Sequence, residues 1–321
     1  MTLRTLRRAA LVLALAAAAA APAHAQRVIR MVVPFGPGAV QDTIARTFNA
    51  ELGQILGATV VVENKPGAGG TVGTAQVAKA PGDGNTLVLA AASHTLAGHL
   101  YSKLDYDPIR NFTGIAYIGN SGYVIAAPGN MGVNTLADYV KAIKAQPGKL
   151  NYASAGNGSA THLGMAFFLA KAGLEMQHVP MKSTGDAVNE VLAGRVQGVT
   201  SSLVGVTGFK NDPRIKMLAY TGTQRSKFMP ELPTVAEAGV PGYKFDSWIG
   251  VLAPSTMPKA EADKLNAAIN KVLQDPAVQQ RLYNLGVEVG GNQSVDQFNK
   301  LLKDDNDQAA ALVKASGARI E

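Results

Sequence analysis

Three stretches of this chain combine glycines and small polar side chains with a helix-like pattern just downstream: residues 35–42, 64–73 and 153–162. Glycine lets the backbone turn tightly and approach a ligand closely. The start of a helix leaves N–H groups unpaired and carries the positive end of the helix dipole. A glycine loop running into a helix is therefore an anion site. In none of the three loops do the glycines fit G-x-G-x-x-G, and the G-x-x-x-x-G-K-[ST] phosphate loop is absent. The loops carry hydroxyls and an amide (Ser154, Asn157, Ser159, Thr161) in place of clustered Arg and Lys. Backbone N–H and hydroxyl donors hold a carboxylate without a full counter-charge. The first candidate loop is Phe35, Gly36, Pro37, Gly38 and Ala39 with Asp42. The second is Ser154, Ala155, Gly156, Asn157, Gly158 and Ser159. Asp42 has two readings: favouring the dipole of its own helix, or receiving a ligand ammonium or bridging water.

Catalytic chemistry has less support. The chain has no cysteine, so it has no disulfide scaffold, no thiolate metal site and no thiol nucleophile. No G-x-S-x-G, S-x-x-K or H-E-x-x-H string occurs. Beyond the N-terminal segment the histidines are His94, His99, His162 and His178. None forms an evident pair with a nucleophile, although triads are spatial and not sequential. An exported hydrolase pairing a serine with His94 or His162 is the enzymatic alternative. It requires a Ser Oγ within about 2.6–3.2 Å of a histidine nitrogen. Asp304, Asp305 and Asp307 lack calcium-loop spacing. No metal and no cofactor is expected.

The elements that must position these loops read as alternating strands and helices. Strands are expected at 28–35, 59–63, 86–91, 123–127, 150–153, 176–179, 196–200 and 215–221, with an extended run at 244–252 and a strand region at 286–291. Helices are expected at 41–56, from about 71, and at 136–145, 161–172, 187–192, 261–273, 277–285 and 295–316. Near-continuous apolar strands separated by helices indicate an α/β fold with mostly parallel sheets covered on both faces. Ser93 and His94 follow a strand, where open α/β sheets bind ligands. Thr200 and Ser201 sit at another strand end as candidate donors.

Residues 1–25 have a basic start (Arg4, Arg7, Arg8), a short apolar run and Ala23-His24-Ala25 before Gln26. That is the pattern of a secretory signal peptide cleaved before Gln26. Its removal lowers the formal charge from +7 to +4, which weakens any case for nucleic acid.

Several strings together resemble the Bug-type solute-binding receptors of tripartite tricarboxylate transporters. They are Phe35-Gly36-Pro37-Gly38 with Asp42 and Arg46, Val62-Glu63-Asn64-Lys65-Pro66-Gly67-Ala68-Gly69-Gly70, Tyr152-Ala153-Ser154-Ala155-Gly156 with Gly158-Ser159 and His162, His178-Val179-Pro180, and Leu232-Pro233-Thr234 with Glu237 and Gly239. The resemblance spans essentially the whole mature chain. It implies a two-lobed periplasmic binding protein fold, with lobe I at 26–122 and 247–321, lobe II at 123–246, and a ligand cleft between them. It implies crossings near residues 119–123 and 245–248, and so adds Trp248 to the candidate ligand contacts. The implied role is capture of a small carboxylate (a di- or tricarboxylate, aromatic carboxylate or acidic amino acid) by a periplasmic monomer, not an enzyme, that hands it to membrane permease subunits and not to nucleic acid. A ligand-presenting partner of a membrane sensor is the related alternative. Bulky residues at Ser154 or Ser159 are expected to weaken binding with the fold intact.

Overall fold

The structure is a computed structural model and describes residues 27–316. The expected signal peptide lies outside the described residues. Ten strands and ten α-helices follow in order: β1 (Val28–Val33), α1 (Val40–Leu56), β2 (Thr59–Asn64), α2 (Thr71–Ala78), β3 (Thr86–Ala91), α3 (Ser93–Leu100), β4 (Phe112–Pro128), α4 (Leu136–Lys144), β5 (Asn151–Ser154), α5 (Ala160–Ala172), β6 (Gln177–Pro180), α6 (Thr184–Leu192), β7 (Gly198–Ser202), α7 (Leu203–Thr207), β8 (Ile215–Tyr220), β9 (Asp246–Pro254), α8 (Lys259–Leu273), α9 (Pro276–Asn284), β10 (Glu288–Val289) and α10 (Val295–Ser316).

The sheet order is β2-β1-β3-β9-β4-β7-β5-β6, with β8 and β10 also paired to β4. Parallel pairing occupies the two ends: β2, β1 and β3 at one, β7, β5 and β6 at the other. Between them β4 and β9 run antiparallel to each other and to their neighbours. The sheet is thus mixed at its centre. The sequence pattern had shown the strand at 123–127 but not the rest of β4, nor the short helices α3 and α7. Glycines interrupt the apolar run of β4 because other elements come too close for a side chain. A Cβ on Gly119 would lie 2.3 Å from the Glu288 carbonyl oxygen, and one on Gly122 would lie 2.1 Å from the Tyr220 ring.

Each end has its own packing. In α1, Ile44, Phe48 and Leu52 recur at helical spacing and are fully buried against β1–β3 and α8. Each such side chain contributes about 1.5–3 kcal/mol of burial. Ile55, the next in the pattern, is exposed. At the other end Val124, Ala126, Val188, Val191 and Val199 form a separate core. A third cluster joins Leu96 and Leu100 of α3, Ala309 and Val313 of α10, and Leu163 and Phe168 of α5.

The strand registers fix where the loops emerge. Ala91, the last residue of β3, pairs with Ile249, which pairs with Gly119. Ser202, the last residue of β7, pairs with Tyr123. The C-terminal ends of the two parallel sets therefore approach the same stretch of β4, residues 119–123, from opposite directions. The loops after β1 and β5 leave from those ends.

Candidate functional site

The first loop is built around Asp42. Its Oδ2 accepts from the Gly38 N–H at 2.9 Å. Its Oδ1 accepts from Arg46 Nε at 2.9 Å and from Asn64 Nδ2 at 3.0 Å. Asn64 also donates to the Phe35 carbonyl at 3.0 Å. Gly38 takes a left-handed φ of +80°, which a side chain would strain. Burial pushes the Asp42 carboxyl pKa up, but the hydrogen bonds from Arg46, Gly38 and Asn64 outweigh it and hold the group below its usual range. Asp42 thus clamps the loop with three hydrogen bonds already in place. The loop at 64–73 is structural, as a Cβ on Gly73 would lie 2.6 Å from the Lys65 carbonyl oxygen.

The second loop is stapled by hydroxyls. Ser159 Oγ donates to the Gly156 carbonyl at 2.7 Å and accepts from the His162 N–H at 3.2 Å. Its single proton being used, Thr161 Oγ1 donates to it at 2.9 Å while accepting from the Ala155 N–H at 2.8 Å. Ser154 Oγ accepts from the Gly156 N–H at 3.1 Å, lies 3.2 Å from the Gly156 carbonyl and sits 2.6 Å from His178 Nε2. Gly156 and Gly158 adopt φ of +112° and +73°. Ser154 is completely buried. This corrects the expectation that a bulky residue there would spare the fold. Ser159 is only half-buried.

The Ser154–His178 distance is the one the hydrolase reading requires, but it falls on His178 and not on His94 or His162. One assignment satisfies every partner: His178 Nε2–H donates to Ser154 Oγ, and Ser154 donates to Gly156. In that tautomer His178 is a donor and not a base. A fully buried hydroxyl is also out of reach of a substrate. The pair holds the loop.

The loops also leave backbone donors unpaired. Among the described residues no acceptor in the chain meets the N–H groups of Gly36, Val40 and Gln41, nor those of Asn157, Ala160 and Thr161. These donors lie in two half-exposed loops at helix starts, and both loops leave strand ends directed at residues 119–123. Gly158 N–H is taken by His162 Nδ1 at 3.2 Å.

Three other candidates, His94, Trp248 and Ser201, are corrected. His94 is buried, its Nε2–H donating to the Pro108 carbonyl at 2.8 Å, its ring packed on Phe112 and Tyr106. Trp248 is buried with its Nε1–H given to Asp305 at 2.8 Å, and lines a cavity beneath α10. Thr200 and Ser201 are completely buried. Ser201 Oγ donates to the Ser202 carbonyl at 3.2 Å, whereas Thr200 Oγ1 has no hydrogen-bond partner. Ser93 remains half-exposed at the end of β3. Sequence reasoning passed over Asn64 and His178 as site-builders. Their signal lay in the family-like strings, since neither has a local motif of its own.

Buried neutral histidines give a pH prediction. Burial lowers the pKa of His94 to about 4; burial and the neighbouring His178 lower that of His162 to about 4. The unfolded chain binds these protons near pH 6.5 and the folded chain does not, so stability is complete above that pH and falls as pH drops toward 4. Asp246, pushed up to about 6 by burial, opposes one of them between pH 6 and 4. A net loss of stability by pH 4 is expected, since the two histidines outweigh the single opposing carboxyl. A melting temperature that stays level or rises between pH 7 and pH 4.5 would contradict it.

An α/β fold whose two parallel strand sets aim donor-lined loops at one seam is that of a two-lobed solute-binding protein. The chain belongs to the tripartite tricarboxylate transporter family receptors, whose family model matches residues 44–318. It is 33% identical to the periplasmic binding protein BugD, with a TM-score of 0.83 over 93% of this chain and all of that one. It is 28% identical to Rhodopseudomonas palustris Rpa4515, solved with adipate, with a TM-score of 0.84 over 92% of this chain and all of that one. It is 29% identical to MatC of the same organism, solved with malate, with a TM-score of 0.81 over 89% of this chain and 99% of that one. Among the described residues no helix is long and apolar enough to cross a membrane.

Proposed function

We propose that the chain is an exported periplasmic receptor that captures a small dicarboxylate between the loops at 35–42 and 154–159 and delivers it to a tripartite tricarboxylate-type permease. The observation that carries this is the set of unpaired N–H groups on both loops, aimed at one seam. In this reading lobe I comprises residues 26–122 and 247–321, and lobe II residues 123–246. The lobes close about residues 119–123 and 245–248, and the receptor works as a monomer. Adipate and malate, the ligands of two similar proteins, each carry two carboxylates, and the seam has a donor loop on either side. Closure adds the second set of donors and excludes water, so ligand binding and closure are linked. The ligand set we propose is Phe35, Gly36, Pro37, Gly38, Ala39, Ser93 and residues 155–159, with Asp42 and Ser154 positioning them.

The test is a thermal-shift panel of di- and tricarboxylates, aromatic acids and acidic amino acids on the mature chain. One acid at a hundredfold excess over its Kd is expected to stabilise it by about 2.7 kcal/mol, with no turnover of ester substrates. Failure of the entire panel, or ester hydrolysis that stops in Ser154→Ala, would sink the reading.

A further inference from the structure

Asn157-Gly158, in the second donor loop, is the only Asn-Gly pair of the chain. Asparagine is among the thermolabile residues, and Asn157 is exposed. Among the described residues no hydrogen bond holds its side-chain amide. Gly158 takes a left-handed φ of +73° and has no side chain to hinder its nitrogen. The hydrogen on that nitrogen points at His162 Nδ1, 3.2 Å away. A ring nitrogen that accepts carries no proton, so the proton of His162 sits on Nε2. The imidazole is stacked on His178 with ring centroids 4.0 Å apart, and Tyr152 lies nearly parallel to it at 6.3 Å. Burial and the neighbouring His178 keep it neutral. A general base must stand within about 2.6–3.2 Å of the atom whose proton it takes. His162 stands so toward Gly158.

We propose that Asn157-Gly158 is a self-converting modification site, at which His162 acts as the base and the Asn157 amide becomes a carboxylate. The Gly158 nitrogen attacks Asn157 Cγ while His162 Nδ1 takes its proton. The bond from Cγ to the side-chain nitrogen then breaks. The departing nitrogen receives the proton and leaves as ammonia, and a five-membered imide remains. Water opens the imide at one carbonyl or the other, giving aspartate or isoaspartate. The sum consumes one water and releases one ammonia, with no change of oxidation state. The new carboxylate stands beside the free N–H groups of residues 157, 160 and 161. It competes there with an incoming anion, so conversion blocks the loop from within. This consequence rests on the carboxylate reading; the conversion does not.

Mature protein and a free peptide of residues 152–160 are incubated at pH 6 and pH 8, and conversion at residue 157 is followed by mass spectrometry of proteolytic fragments. In the peptide the attack depends on hydroxide and slows steeply as pH falls. A built-in base that stays neutral keeps the folded chain converting. At pH 6 the folded chain is expected to convert at least about tenfold faster than the peptide. His162→Gln keeps a hydrogen-bond acceptor but no base, and should slow conversion at least about tenfold. If that variant does not fold, the comparison of chain and peptide still decides. Conversion in the folded chain no faster than in the peptide at pH 6, or an unchanged or higher rate in folded His162→Gln, would overturn the inference. Conversion is read without any ligand, so failure of the thermal-shift panel leaves it standing. With an acid from that panel, the converted fraction is expected to bind at least about tenfold more weakly by calorimetry, since like charges oppose each other. Equal affinity of the two fractions would overturn the blocking role.

Discussion

Asp42→Ala is expected to destabilise the chain by about 3 kcal/mol and to abolish carboxylate binding. The side chain accepts hydrogen bonds from Gly38, Arg46 and Asn64. Removing one partner of a buried hydrogen bond costs about 1–3 kcal/mol because the other is left unsatisfied. Arg46 is half-exposed and regains water, so its share is small. Gly38 N–H and Asn64 Nδ2 are the expensive losses. Without them the turn at Gly38 has no anchor, and the donors at the start of α1 lose their shared direction. Asp42→Asn is the informative control. It keeps the volume, yet its amide cannot accept at both ends, so an intermediate loss is expected in denaturant midpoint and in affinity. Wild-type stability and binding in Asp42→Ala would remove Asp42 as the organiser of the loop.

Ser154→Ala carries the second large effect. The hydroxyl is fully buried and links Gly156 N–H, the Gly156 carbonyl and His178. Its loss strands the Gly156 N–H and the His178 Nε2–H, for about 2–4 kcal/mol in total. Gly156 is then free to leave its left-handed conformation, and the unpaired N–H groups at 157 and 160–161 scatter. Affinity should fall by more than the removal of a single ligand contact explains, because no direct contact is being removed. Calorimetry on Ser154→Ala against Asn157→Ala separates the two cases. Asn157 is exposed and contributes through its backbone, so its variant should keep most of the affinity. The reverse order would mean that side chains and not the loop backbone hold the ligand.

The donor loops were legible in the sequence because their chemistry is local. Gly36-Pro37-Gly38 before an apolar helix, and Gly156 and Gly158 before another, announce a turn and a helix start without help from the fold. The family-like strings then extended this to two lobes. What could not be read was which hydroxyls face a ligand. Ser154, Ser159 and Thr161 look like donors in a one-dimensional pattern, but folding turns them onto their own loop and leaves backbone N–H groups unpaired. Ser201 and His94 failed as candidates for a related reason: a polar residue at a strand end can face either side of the sheet, and burial decides. Trp248 was expected to contact a ligand; it lies on β9 opposite Asn120, with its indole N–H directed at Asp305 on α10, a partner 57 residues away. The glycines of β4 hid half of a strand because their cause, the approach of Glu288 and Tyr220, lies far along the chain.

The central claim is that one carboxylate ligand is held by backbone donors of both loops at once. A crystal structure of the mature chain grown with the best acid from the thermal-shift panel tests it most directly. The account predicts carboxylate oxygens within about 2.7–3.1 Å of N–H groups from both 36–41 and 157–161, with the lobes closed about residues 119–123. An acid contacting only one loop, or lodged in the cavity beneath α10, would contradict it.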